Sequence, residues 1–294
     1  MYQFSGTGRT FYEYIMWDTM LMAINDLIAQ GAMPAIYTDE VAAGDSDWFL
    51  DEKRSQALTV GMLELCFQDG IAVVAGESPS LVYLIKAAPP VKSAPSFSGC
   101  TTGVIAPSSR LISGEKLCAG DHILGAPSTG IHANGISLVI RRAMTLPEKF
   151  LTLLPDGRTL GEHALIPTRS YVALVEALLD AGVDIHALLP GTGSGVAKIA
   201  FDHRPFTYRI SKWVDEIPQI FLFMRQLGVT LSDCLTTFNW GIGYYIYVPE
   251  SEVEVAIAMA KPAGYDLIDL GRVEEGERKV IFEPEGITLP PPGE

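Results

Sequence analysis

The chain of 294 residues carries 35 acidic and 21 basic side chains, a net charge of −14, with 48% hydrophobic and 19% charged residues. That apolar share can bury a sizeable core and excludes a disordered chain. The acidic excess excludes a non-specific nucleic-acid binder, which needs a positive face to displace counterions. The four cysteines (Cys66, Cys100, Cys118, Cys234) show no C-x-x-C spacing, so neither a zinc framework nor disulfides are expected, and a reducing cytoplasm is the plain reading. The opening "MYQFSGTGRT" has no signal pattern, and no apolar stretch reaches the roughly 18–20 residues that span a bilayer, so no membrane contact is expected.

In chain order, "WDTMLMAINDLIAQGAMP" (17–34) predicts a helix with Leu21, Ile24, Leu27 and Ile28 as its apolar stripe and Gly31 as its stop. Asp18 and Asn25 share another face, two turns apart. Residues 35–44 read as a short strand running into a loop, 53–70 as a second amphipathic helix, and 71–78 as a buried strand ending at Glu77. A further strand follows at 98–106, and the text at 107–120 reads as a domain junction. Beyond it, "NGISLVIRRAM" and "RSYVALVEALLDAG" read as helices, "GTGSGVAKIA" as a glycine-rich loop entering a helix, and 240–249 as an aromatic strand. "SEVEVAIAMAKPAG" reads as a helix behind a Ser-x-x-Glu cap. Alternating helices and strands predict an α/β class with α+β layers, divided into domains at 1–110 and 117–285, with a frayed tail at 286–294.

Three features point to chemistry. The glycines of "SGTGRT" (5–10) and of "GTGSG" (191–195) could cradle a phosphate with backbone N–H groups, although such strings are more often turns. Asp39 and Glu77 each follow an apolar run, which sets both near strand ends where ligands collect in α/β layers; as paired hard oxygens they would suit magnesium. His132 and Asn134 sit in "GAPSTGIHANGISL" (125–138), whose small neighbours leave room for a ligand, although a lone loop histidine is usually only that.

The blocks "INDLIAQGAMP", "AGES", "GDHILGAPSTGIHANGISLV", "PTRSYV", "IHALLPGTGSG" and "TFNWGIGYYIYVP" resemble, in this order, those of the aminoimidazole ribonucleotide synthetase (phosphoribosylformylglycinamidine cyclo-ligase) family, from about Trp17 to Val273. The resemblance implies a two-domain synthetase fold whose N-terminal strands form a barrel shared by a homodimer. It implies ATP and Mg²⁺ as cofactors and a small ribonucleotide as substrate, in de novo purine biosynthesis. It also implies roles. Gly6, Gly8 and Arg9 fall on the N-terminal nucleotide loop, and Asp18 on the nucleotide side. Asp39 and Glu77 match the metal acids, His132 and Asn134 the "His-Ser-Asn-Gly" turn facing the substrate. Thr192, Gly193 and Gly195 match a "Thr-Gly-Gly-Gly" loop, and Asn239 the "Phe-Asn-x-Gly" motif.

Departures fall mostly on the nucleotide side. Ser5 stands where the family has an acid, Thr10 for a lysine, Ser80 for a glutamate and Ser96 for an aspartate; Pro190 and Ser194 replace a histidine and a glycine. Two alternatives therefore accompany the cyclo-ligase reading: a catalytically weakened relative, and a superfamily member with another small-molecule substrate.

Overall fold

The computed structural model describes residues 9–89, 91 and 93–293. Its elements are α1 (Tyr12–Ile28), β1 (Met33–Ala43), α2 (Glu52–Asp69), β2 (Ala72–Glu77), β3 (Pro95–Val104), β4 (His122–Pro127), α3 (Ile136–Ala143), α4 (Leu160–Ala164) and α5 (Val172–Asp180). They continue with β5 (Ala187–Pro190), β6 (Phe206–Ile210), α6 (Gln219–Gln226), α7 (Leu231–Thr237), β7 (Ile242–Val248), α8 (Val253–Ala260), β8 (Ile268–Glu275), β9 (Lys279–Phe282) and β10 (Ile287–Leu289). No helix among the described residues is long and apolar enough to cross a membrane.

The chain folds as a mixed α/β protein on two sheets. The first, ordered β2-β1-β3, pairs β1 parallel to β2 and antiparallel to β3. α1 and α2 cover one face: Met16, Met20, Leu21 and Ile24 of α1 are buried with Tyr37 and Val41 of β1. α2 is well bounded, because the Asp51 side chain accepts the Arg54 N–H at the start and Gly70 takes the left-handed conformation at the end. The other face of the sheet is open. Ser96, Ser98, Cys100, Thr102 and Val104 alternate outward along β3, and every residue of β2 is exposed, so the strand expected to be buried is not.

The second sheet is ordered β10-β9-β6-β8-β4-β7-β5. Period-two alternation divides β7 between two cores: Tyr245 and Tyr247 join one apolar cluster, Tyr244, Ile246 and Val248 the other. That second cluster is continuous with the α1 core and includes Leu174 and Leu178 of α5 and Ala256 and Ala260 of α8. α1 is thus a shared layer, and an apolar interior joins the two sheets.

Several expectations are corrected. The first helix begins at Tyr12, not Trp17, and β1 runs on to Ala43, four residues past Asp39. "GTGSGVAKIA" enters a six-residue 3-10 turn, Gly195–Ala200. The Ser-x-x-Glu cap does not form: a 3-10 turn, Glu250–Glu252, precedes α8, whose first turn has no side-chain cap. The tail expected to fray instead adds β10 to β9, with Leu289 fully buried.

Candidate functional site

β4 and β5 both run antiparallel to β7, on either side of it, so their C-terminal ends deliver loops 128–135 and 191–195 to the same end of the second sheet's strands. Between them lies the 239–243 turn that opens β7.

Asn239 clamps the first loop. It is 2% exposed; its Oδ1 accepts from Ser128 Oγ at 2.9 Å and from the Gly241 N–H at 3.0 Å, and its Nδ2 donates to the Gly130 carbonyl at 2.8 Å. Farther along, His132 and Ala133 hold φ of 50° and 59°, a left-handed conformation uncommon for side-chain-bearing residues. Asn134 supports it by donating its backbone N–H to the Ile131 carbonyl and its Nδ2 to the His132 carbonyl, each at 3.1 Å.

His132, expected to face the substrate, is enclosed by its own chain. The residue is 1% exposed, and its Nε2 accepts the Thr129 N–H at 3.0 Å. Its ring packs beside Tyr171, and a Cβ at Gly243 would come within 2.6 Å of its Cε1, so the missing side chain there makes its seat. Burial, and then the nearby Arg169 charge, push its pKa down to about 3. A neutral ring accepting at Nε2 orients Thr129, whose hydroxyl donates to the Pro167 carbonyl at 2.6 Å. The ring thus holds the shape of its own loop. Asn239, which the resemblance placed on the nucleotide side, likewise has its amide engaged on its own loop.

In the second loop Gly193, Ser194 and Gly195 all have positive φ. Gly195 has no room for a side chain, since its Cβ would lie 2.5 Å from the Leu235 carbonyl; Gly193 and Ser194 are exposed. The N–H groups of Thr192, Gly193 and Ser194 make no hydrogen bond among the described residues. Behind them Lys198, half-buried, donates to the Thr192 carbonyl at 2.6 Å. Burial lowers the Lys198 pKa, and the charge of Asp26 on α1 opposes that shift. Neither residue stands out in the sequence, because only the fold brings α1 to this loop.

Segment 167–171, which receives the Thr129 hydroxyl on the Pro167 carbonyl, ties the first loop to the first domain. Asn25 donates to the Arg169 carbonyl at 3.0 Å and accepts the Tyr171 N–H at 3.1 Å, and Asp69 of α2 accepts from Ser170 Oγ at 2.7 Å. Asp18 Oδ1 accepts both the N–H and the hydroxyl of Thr168, at 2.8 and 2.6 Å. One oxygen of Asp18 is therefore committed to docking. Burial raises its pKa from 3.8 to about 6 against those two bonds. A carboxylate that holds its proton more tightly when folded stabilises most below its unfolded pKa, and that contribution is lost as pH rises through about 6. Asp18→Asn keeps both acceptor contacts. It should gain stability relative to the parent between pH 4 and pH 6.5, read by urea midpoints at each pH; parallel pH profiles would contradict this assignment.

The two expected metal acids do not converge. Asp39 pairs with Gly76 and Glu40 with Glu77, so strand alternation sends Asp39 and Glu77 to opposite faces of the sheet. Asp39 lies over Gly76 on the helix-covered face, where burial raises its pKa. Arg9 reaches Glu13 at 2.6 Å and the Tyr14 hydroxyl at 3.2 Å, a local engagement. Gly6 and Gly8 lie outside the described residues.

The two sheets sharing one helix layer, with paired loops at one end of the second sheet's strands, define a fold class. Solved structures that share it include hydrogenase maturation protein HypE in complex with ATP, with a TM-score of 0.62 at 20% identity over 93% of this chain and 77% of that one. Thiamine monophosphate kinase from Aquifex aeolicus gives 0.63 at 16% identity, over 96% and 83%. The chain belongs to the AIR synthase related protein family, residues 9–105 matching its N-terminal domain and residues 119–283 its C-terminal domain. Among its relatives, the phosphoribosylformylglycinamidine cyclo-ligase of Carboxydothermus hydrogenoformans is 34% identical over 282 residues, covering 92% of this chain and 77% of that protein. That of Alkaliphilus oremlandii is 32% identical over 278 residues, covering 92% and 78%.

Proposed function

We propose that the chain is an ATP-dependent cyclo-ligase that closes formylglycinamidine ribonucleotide to aminoimidazole ribonucleotide, in the cytoplasm. The observation that carries this reading is the pairing of the clamped loop 128–135 with loop 191–195, whose unengaged N–H groups stand beside Lys198. ATP would phosphorylate the formyl oxygen; the amidine nitrogen then attacks that carbon, and the oxygen leaves as phosphate. The N–H groups of 192–194 and the Lys198 ammonium suit the charge on the transferring phosphoryl group. The Asn134 side-chain carbonyl, half-buried and without a protein partner among the described residues, suits an N–H of the substrate. Asp39 and Glu77 do not fit a shared magnesium ion within one chain, and no step is assigned to one there.

That divergence, with the commitment of Asp18 to Thr168, favours a second reading: a relative in this family that binds nucleotide but acts on another small molecule. An assay with ATP and formylglycinamidine ribonucleotide decides between them. Matched release of ADP and imidazole product supports the first reading; nucleotide binding without product supports the second.

The open sheet face suits a second copy of the chain. Ile36, Val74 and Val104 are 37%, 60% and 59% exposed on or beside a three-stranded sheet with no layer over it among the described residues, a feature that monomers seldom leave uncovered. Sedimentation at micromolar concentration should give a dimer despite the −14 charge, and a monomer would contradict it.

A further inference from the structure

At the other end of these strands, about 20 Å from the loops at roughly 3.3 Å per strand residue, β4 and β5 begin on either side of the end of β7. Cys118, Asp121 and His186 meet there, with one potential ligand atom from each lying within 4.8 Å of the others. We propose that these three residues form a structural site for a late first-row divalent cation, zinc above all, which clips the starts of β4 and β5 together.

The donor set is the first argument. A thiolate, an imidazole nitrogen and a carboxylate oxygen are the ligand types zinc takes, whereas magnesium and calcium prefer oxygen alone. Around a tetrahedral zinc, bond lengths of about 2.0–2.3 Å put neighbouring ligand atoms about 3.4–3.6 Å apart. Cys118 Sγ lies 3.5 Å from Asp121 Oδ1 and His186 Nδ1 lies 2.8 Å from Oδ2 of the same carboxylate, so thiol and imidazole flank one carboxylate, and side-chain rotation that turns a single oxygen toward both makes room for one ion. Cys118 is exposed, which gives the ion an entry path and leaves a fourth position to water.

A second, independent argument is the setting of the ligands. Asp121 is 1% exposed, yet its side-chain partners are a thiol and an imidazole rather than a lysine or arginine. A carboxylate buried in that way is neutralised by a cation placed among the three. Its backbone is fixed as well, by Cys118 and Asp121 bonding reciprocally and by the Val273 N–H on its carbonyl. On the far side of the imidazole, His186 Nε2 stands 3.4 Å from Asp184 Oδ2, and Lys116 holds that carboxylate at 2.6 Å. A carboxylate behind the distal nitrogen turns the other nitrogen's lone pair toward a metal, the usual outer support of a zinc-bound histidine. Binding would release the thiol proton to solvent. Spacing rules miss the site because Cys118 and His186 lie on separate strands' approaches and meet only through β7.

The test uses the full chain, stripped with chelator and titrated with cobalt(II). A thiolate-to-cobalt charge-transfer band should saturate at one equivalent and be bleached by zinc. Cys118→Ser should abolish the band, and His186→Ala should weaken binding by about 100-fold or more. Asp184→Asn should weaken it by about 10–100-fold, while Cys100→Ser leaves it intact. A measurement on the unaltered protein guards against misfolded variants: zinc should protect Cys118 from alkylation while Cys100 labels as before. Absence of the band at one equivalent, a band that survives Cys118→Ser, or equal labelling of Cys118 with and without zinc would overturn the proposal.

Discussion

Asn239→Ala is expected to lower the free energy of unfolding by about 3–5 kcal/mol, because a buried donor or acceptor left without its partner costs about 1–3 kcal/mol. Three groups lose their partner together: Ser128 Oγ, the Gly241 N–H and the Gly130 carbonyl. Ser128 is half-buried and can turn to water, whereas Gly130 and Gly241 are buried and cannot, so the cost concentrates on those two. The urea midpoint should fall with an unchanged slope, and nucleotide binding should weaken in step as loop 128–135 loosens. An unchanged midpoint would mean that the loop holds its shape without the clamp.

Asn239 also shows where sequence reading stops. The block "TFNWGIG" marks the residue, but whether its amide meets a ligand or its own chain depends on Ser128 and Gly130, more than a hundred residues away in sequence. His132 is the same case, since its burial depends on Gly243 and Tyr171 arriving from other elements. α1 and α2 are legible because helical periodicity is local. β4 and β5 are short strands whose apolar residues form no alternating pattern, and β10 has three residues, too few to establish one, so only pairing makes them strands.

The divergence of Asp39 and Glu77 has a sharper cause. Tyr37 pairs with Val73 but Thr38 with Ala75, so Val74 is an extra residue bulged out of β2. Without that bulge Asp39 would pair with Ala75, and Glu77, two residues on, would share its face. One inserted residue reverses the parity of everything after it. A pattern of apolar runs and carboxylates carries no sign of such a bulge, so two acids that look equivalent in the sequence face apart in the fold.

Lys198→Met should reduce turnover by about 10²–10³-fold, the range for removing one charge-stabilising donor from a reacting centre. Methionine keeps much of the stem's length and packing, so the urea midpoint should shift little, which separates the loss from unfolding. The ammonium has two effects on the loop: it fixes the Thr192 carbonyl at 2.6 Å and sets a positive charge behind the free N–H groups of 192–194. The neutral side chain removes both, whereas Lys198→Arg keeps the charge but replaces a point donor with a planar fork. Partial recovery in the arginine variant would assign the effect to charge, and none would assign it to the loop's shape. If the parent binds nucleotide without forming product, the same contrast is read in calorimetric affinity for ATP. Turnover or affinity within twofold of the parent in Lys198→Met would remove Lys198 from the site altogether. Loop 191–195 would then be a tight turn between β5 and the Gly195–Ala200 helical turn, its N–H groups facing water.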